Sequence, residues 1–258
     1  MLDDPELRLI SQEIPDLGNL QDMTNNLSPD FNSVYFPPKS YVPMAAVCLQ
    51  DATQTLTEAR YALHEVYAHR IWYLEKKQPP NKEAATFFAR YYADDAALRL
   101  YAAYEQLTDG IVMMLEITNE DLKPYKQKGV SQRVVIGHFL KERKKDHPIT
   151  GAIIRLLESK EWCVTMSYRN RWVHEQPPTV KGLGIIYKRE RNKNETRWKL
   201  SPNGKDYTLG IGGGDMPEYS IEEIVGFIQP ATFQFKDTLT AVVEFYIGLL
   251  KSHGISFN

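Results

Sequence analysis

The sequence has few of the residues and segments that mark secreted, membrane-bound or disulfide-rich proteins. Only two of its 258 residues are cysteine, too few for a disulfide framework or a cysteine-rich zinc site. Cys48 and Cys163 both lie in apolar helical patterns, so we expect buried free thiols. The most apolar stretch, 241–250, contains Glu244 and is too short to span a bilayer. The first residues lack the features of a signal peptide, so we expect a cytoplasmic protein without membrane contact.

Several sequence signatures of enzymes are also missing. The glycine-rich run 210–214 is not followed by the Lys-Ser/Thr pair of a phosphate-binding loop. His64 and His69 are five residues apart, so they do not share a helix face as the ligands of a zinc-protease helix do. No Gly-x-Ser-x-Gly nucleophile elbow occurs. We therefore predict no bound metal and no cofactor.

The net charge of -2 conceals an uneven distribution of charge along the chain. Residues 121–205 contain 20 Lys and Arg against 8 Asp and Glu, whereas the remainder has 11 basic and 25 acidic residues. A segment with this excess of positive charge is able to attract an anionic partner.

The spacing of apolar residues predicts an all-α fold. Apolar residues recur at helical intervals over about 44–77 and 82–117, and shorter helical patterns follow at about 131–147 and 148–175. The aromatic residues of the second helix fit core packing better than base stacking. We predict an up-down bundle of four to five long helices.

A capping box is predicted where the last helix begins. Ser220 is followed three residues later by Glu223, the spacing at which two side chains cap each other's backbone amides. The helix then runs to about Ser252, and Pro230 predicts a kink or break within it.

Two regions depart from the helical pattern. Residues 1–42 contain five prolines and little periodicity, which predicts an irregular arm with one short helix, ahead of a bundle over 43–258. Two β-rich runs around an Asn-containing turn predict a small β-hairpin insert at about 183–210. Its interleaved basic and aromatic residues fit either a substrate arm or a solubilised edge hairpin.

The segment 168–175, at the end of a predicted helix, carries the pattern Arg-Asn-x-x-x-His through Arg169, Asn170 and His174. It resembles the signature of the HEPN superfamily, whose small all-α domains have an Arg, four to six further residues and a His near the end of a bundle helix. A second Arg-x4-His match, at 133–138, lacks the Asn and lies near the start of a helix.

The resemblance implies a metal-independent endoribonuclease that cleaves RNA by 2'-hydroxyl attack and belongs to a toxin or defence system. The alternative that it implies is a non-catalytic module that binds RNA or nucleotides. His174 would be the general acid/base, because histidine exchanges protons near neutral pH. Arg169 would stabilise the phosphoryl charge, and Asn170 would orient the phosphate or the histidine. The resemblance also implies a homodimer with both motifs facing a shared cleft, and an antitoxin or nucleotidyltransferase as partner.

Helix geometry constrains this site. Asn170 and His174 share one face, whereas Arg169 lies about 140° around the helix from His174. Either the helix loosens near the following proline pair, or a second chain completes the site. Four further residues are candidates for substrate binding or for polar contact with the site: Arg171, Tyr168, Glu105 and Asp109.

A purely structural role for the motif is also open. Arg169, Arg171 and His174 suit the negative end of their helix, and Glu175 has the spacing to pair with Arg171. The sequence thus leaves three functions: an endoribonuclease, a non-catalytic RNA- or nucleotide-binding module, and a helical interaction protein with a vestigial motif.

Overall fold

The computed structural model describes residues 4–28, 34–125, 135–175, 177–183 and 217–255. Within these residues it contains nine α-helices and no β-strand, which confirms the all-α prediction. The predicted hairpin insert at about 183–210 lies, apart from Leu183, outside the described residues.

The helices follow one another in a simple order, and four of them have 15 or more residues. They are α1 (Asp4–Glu13), α2 (Gly18–Asn25), α3 (Ala45–Ile71), α4 (Lys82–Met114), α5 (Asn119–Leu122), α6 (Ile136–Arg143), α7 (Thr150–Glu158), α8 (Lys160–His174) and α9 (Ile221–Ser252). A π-helical turn, Trp72–Lys76, extends α3.

Helices α3 and α4 form an antiparallel pair at the centre of the fold. His69 near the end of α3 stacks on Phe88 near the start of α4, with ring centroids 4.7 Å apart. At the other end of the pair, a Cβ placed on Gly110 would lie only 3.3 Å from the Cβ of Cys48. Alanines fill much of the buried contact between the helices, and small side chains let the two backbones approach closely.

Helix α9 covers this pair and joins it to α8. The Trp162 ring of α8 stacks on Phe235 of α9, with centroids 5.6 Å apart and an interplanar angle of 11°. The buried Tyr246 hydroxyl donates a hydrogen bond to the Val42 carbonyl at 3.0 Å. Of the kink or break predicted at Pro230, the break does not occur, because α9 continues as one helix through this residue.

The predicted capping box is confirmed. The Glu223 carboxylate accepts a hydrogen bond from the Ser220 amide at 2.7 Å, and the Ser220 hydroxyl accepts one from the Glu223 amide at 3.2 Å. Both bonds satisfy backbone donors at the helix start that have no partner within the helix.

The arm over 1–42 is more ordered than its composition predicts. A second helix, α2, follows α1, and the buried side chains Ile10, Ile14, Leu17 and Leu20 join the same core as α3 and α9. Helices this short are marginal alone, so burial against the bundle stabilises them.

Two further expectations are corrected. The single helix expected over 148–175 is two, because Ser159 leaves the helical conformation and caps α8 by accepting a hydrogen bond from the Trp162 amide. Cys163 is exposed and Cys48 is half-buried, so neither is the fully buried thiol that the pattern suggested.

We expect Ser220→Ala to lower the free energy of unfolding by about 1 kcal/mol, because the substitution removes the hydroxyl that caps α9. Urea titration followed by circular dichroism measures the loss. Ser167→Ala, at an exposed position inside α8, is the control and should change stability by less than about 0.5 kcal/mol. Equal effects of the two substitutions would contradict the capping role.

Candidate functional site

Helix α8 carries the Arg-Asn-x-x-x-His pattern on its last two turns. The helix ends at His174, and the Glu175 amide still donates a hydrogen bond to the Arg171 carbonyl at 3.0 Å. The helix is therefore regular through the whole motif. It does not loosen before the proline pair, so this route for bringing Arg169 to His174 of the same chain is removed.

Arg169 lies against α4. Its guanidinium carbon is 3.8 Å from the centroid of the Tyr101 ring, a cation–π contact. Its Nη1 donates a hydrogen bond to the Asn170 side-chain oxygen at 3.0 Å. Its Nε is buried and has no hydrogen-bond partner in the described part of the chain. The guanidinium is thus held beside α4 with donor capacity unused.

Asn170 and His174 lie on a different side of α8, and both are exposed. The structure gives the His174 ring no hydrogen bond or ion pair within the described ranges, so its nitrogens are open to a ligand. Arg169 and His174 are five residues apart, or about 7.5 Å along the helix axis. The structure brings Arg169 and Asn170 together, and within the described ranges it gives Arg169 no contact with His174.

A buried carboxylate, Asp94 of α4, fixes α8 in this orientation. Its Oδ1 accepts a short hydrogen bond from the Tyr168 hydroxyl, and its Oδ2 accepts one from Arg90 Nε at 3.4 Å. The Trp172 side chain lies close enough to this carboxylate to lower its pKa slightly. The Tyr168 bond therefore holds the motif helix against α4.

Burial controls the ionisation of this network. Loss of water raises the pKa of the Asp94 carboxyl, while the hydrogen bond from Tyr168 and the charge of Arg90 oppose the rise. Burial, together with the neighbouring Asp94 charge, raises the pKa of the Tyr168 hydroxyl far above its ordinary value. The tyrosine therefore stays protonated and acts as a donor to Asp94.

The proposed substrate contact of Tyr168 is wrong. Its side chain is only 1% exposed, and its ring packs edge-on against Tyr219 and at a tilt against Phe227 of α9. A side chain enclosed in this way contacts no substrate. Tyr168 instead positions the helix that carries the motif.

Arg171 is paired within the protein. Its Nη1 donates a short, charge-assisted hydrogen bond to Glu218, which precedes α9, and this bond lowers the pKa of the Glu218 carboxyl. The pairing with Glu175 that the spacing suggested is replaced by this longer-range one. Arg171 therefore ties α8 to the start of α9.

Glu105 and Asp109 are half-buried on α4. They follow Tyr101 by one and two helical turns, so both lie on the side of α4 that Arg169 contacts. Their polar contact with the site stays a prediction.

An open cavity of about 820 Å³ lies beside the Asp94 network. Its walls include Phe87 and Tyr91 of α4, which are 54% and 62% exposed, and Trp172, which is 38% exposed. The interpretation of the α4 aromatics as core is wrong for Phe87 and Tyr91. In the sequence, these two residues are one turn apart near the helix start, but this spacing fits a core as well as an open cavity.

No group of three His, Cys, Asp or Glu that is able to hold a metal ion occurs among the described residues. Over the same residues, no helix has the length and apolar character needed to cross a bilayer.

Comparison of the chain with protein-family models, curated proteins and solved structures found no match. The resemblance to the HEPN superfamily therefore rests on the motif and on the helical outline.

We expect Tyr168→Phe to lower the free energy of unfolding by about 1.5–3 kcal/mol near neutral pH, because the hydroxyl bonds a buried carboxylate. The folded-state pKa of Asp94 is already raised, so ionised Asp94 costs stability as pH increases. Removing the hydroxyl raises this pKa further, so the loss should shrink as the pH falls and Asp94 takes up a proton. Urea titrations at about pH 7.5 and about pH 4.5 measure this difference.

Tyr246→Phe is the matched control, because this buried hydroxyl bonds a neutral carbonyl. Its loss should be about 0.5–1.5 kcal/mol and the same at both pH values. A Tyr168→Phe loss that does not depend on pH would contradict the coupling to Asp94.

Proposed function

We propose that the chain is an HEPN-like, metal-independent endoribonuclease that cleaves RNA by attack of the 2'-hydroxyl. One observation carries the proposal: a rigidly held helix end presents Asn170 and His174 to solvent on one face. An accessible imidazole is able to take the proton from the 2'-hydroxyl or give one to the leaving 5'-oxygen. The Asn170 amide beside it is able to donate a hydrogen bond to the phosphate.

The site is completed by a second copy of the chain in a homodimer. Arg169 is held on Tyr101 and α8 is regular through His174, so Arg169 and His174 of one chain point in different directions. Val173, next to His174 at the end of α8, is an apolar side chain that remains 41% exposed in the single chain, as expected at a surface that meets a partner. In the dimer, the phosphate lies between His174 of one copy and Arg169 of the other.

The Arg169 guanidinium supplies paired N–H donors and a fixed positive charge, which a histidine side chain does not. Two parallel N–H donors match two phosphoryl oxygens, and the fixed charge stabilises the additional negative charge of the pentacoordinate phosphorus. The Arg169 Nε is buried, so the contacts to the phosphate fall to its two Nη atoms, of which Nη1 also bonds Asn170. The toxin or defence role and the antitoxin or nucleotidyltransferase partner rest on the family resemblance alone.

Non-catalytic binding of RNA or a nucleotide is the second candidate. The observation in its favour is that the Arg169 guanidinium stacks on Tyr101 and bonds Asn170 instead of facing the imidazole of its own chain. A chain that acts alone in this arrangement binds a phosphate but lacks the paired groups needed to cleave its ester.

We expect His174→Ala to reduce cleavage of single-stranded RNA in EDTA by about 100-fold or more, the usual contribution of a general acid/base. Gel electrophoresis measures the rate, and mass spectrometry should find 2',3'-cyclic phosphate ends, because the 2'-oxygen displaces the 5'-oxygen. The control is His138→Ala, which alters an exposed histidine of α6 in the second Arg-x4-His match. This variant should keep the wild-type rate.

Two results would overturn the endoribonuclease. Equal activity of wild type, His174→Ala and His138→Ala would assign the cleavage to a contaminant. RNA binding without cleavage, weakened by Arg169→Ala, would establish the second candidate instead.

A further inference from the structure

We infer that the cavity beside Asp94 binds an unpaired base of single-stranded RNA, while the adjoining phosphates lie over Lys82 and Lys181. This inference rests on RNA as the substrate of the proposed function. It names the place at which the strand is held, next to the end of α8 that carries His174.

The walls of the cavity suit a flat ring. Phe87 and Tyr91 lie one turn apart on α4, and the Trp172 indole belongs to the facing end of α8. Three large aromatic side chains are thus exposed around one space, although their burial would stabilise the fold. A base covers such rings with its own π-face, whatever its sequence identity.

The aromatic walls are also held in place by neighbouring groups. Phe87 packs edge-on against Phe88, with ring centroids 5.3 Å apart, and Tyr91 packs edge-on against Tyr92 at 5.2 Å. The Trp172 side chain and Asp94 line the same cavity. Rings fixed in this way lose little freedom when a ligand stacks on them, which favours binding.

The polar groups of the cavity suit an uncharged ligand with hydrogen-bonding edges. Arg90 donates from Nε to Asp94 and from Nη2 to the Pro178 carbonyl at 2.9 Å. Its Nη1 has no partner within the described ranges, so it is able to donate to a ring nitrogen or carbonyl of a base. Glu83 and Asp94 also line the cavity, and their charges disfavour a phosphate inside it.

A separate cationic cavity lies where the phosphates of such a strand would run. It has a volume of about 220 Å³ and is lined by Arg70, Lys82 and Lys181, among others. Arg70 is paired with Glu222 at 2.6 Å, which leaves the two lysines as the available charges. Lys82 neighbours Glu83 in sequence and Lys181 is two residues from Leu183, so the two cavities lie at the same end of α4, on different sides of the helix.

The size of the aromatic cavity agrees with this ligand. Its volume of about 820 Å³ lies within the usual range of about 300–1,000 Å³ for ligand sites. The space therefore accommodates a base together with its ribose.

Fluorescence anisotropy with a short, labelled single-stranded RNA tests the inference, using His174→Ala protein so that the probe stays intact. Tyr91→Ala should weaken binding by about 5- to 150-fold, the effect of losing one stacked base. The control is Tyr61→Ala, because Tyr61 is 60% exposed and does not line the cavity. This variant should bind the probe as tightly as its parent.

The contribution of the lysines has its own measurement. Lys82→Ala and Lys181→Ala should each reduce the slope of log affinity against log salt concentration by about 0.7, the value for one phosphate contact on a single strand. An abasic ribose-phosphate oligomer of the same length should bind all proteins weakly and should not distinguish Tyr91→Ala from its parent.

The base site would be overturned if Tyr91→Ala and Tyr61→Ala bound RNA with equal affinity, or if the abasic oligomer bound as tightly as the RNA. It would also be overturned if Tyr91→Ala changed the oligomeric state without changing RNA affinity. Binding that depends on Tyr91, in a protein whose wild type does not cleave RNA, would remove the endoribonuclease and retain the base site. Cleavage that depends on His174, with no effect of Tyr91→Ala on RNA affinity, would remove the base site and retain the endoribonuclease.

Discussion

The buried carboxylate of Asp94 determines how the motif helix meets the bundle. A charge removed from water must be bonded by donors, and α8 supplies one through the Tyr168 hydroxyl while Arg90 of α4 supplies another. Because the Tyr168 side of α8 faces the bundle, the opposite side of the helix faces solvent. Asn170 and His174 lie on that opposite side, about half a turn around the helix from Tyr168. The proposed catalytic histidine is therefore exposed because of the hydrogen bonding of Asp94, in which it takes no part.

The same orientation explains why one chain holds only parts of the proposed site. Arg169 lies between the inward and outward sides of α8, and Tyr101 of α4 holds its guanidinium. Because α8 stays regular to its end, the arginine and the histidine of one copy diverge. In the proposed homodimer, a second copy related by a twofold axis supplies the missing partner twice, once in each direction.

Periodicity and capping rules were sufficient to predict much of the fold. The long helices α3, α4 and α9 each bury an apolar stripe, and Ser220 with Glu223 caps α9 as expected. Helix α2 and the break at Ser159 were missed, because packing and a local side-chain bond decide them. The expected β insert and the loop before α6 lie outside the described residues.

The site was less predictable than the fold. Tyr168 and Asp94 are 74 residues apart in sequence, so only the folded chain shows that the tyrosine is a buried donor. The exposure of Phe87 and Tyr91 was hidden for a related reason, since an aromatic pair at helical spacing fits both a core and an open cavity. Whether the pair is covered depends on where α8 ends.

The most direct test of the composite site mixes inactive Arg169→Ala protein with inactive His174→Ala protein. If the site combines Arg169 of one copy with His174 of the other, mixed dimers contain one intact site. Free exchange of subunits should then restore about a quarter of the wild-type rate of RNA cleavage. No recovery, although affinity tags show that mixed dimers have formed, would contradict the account.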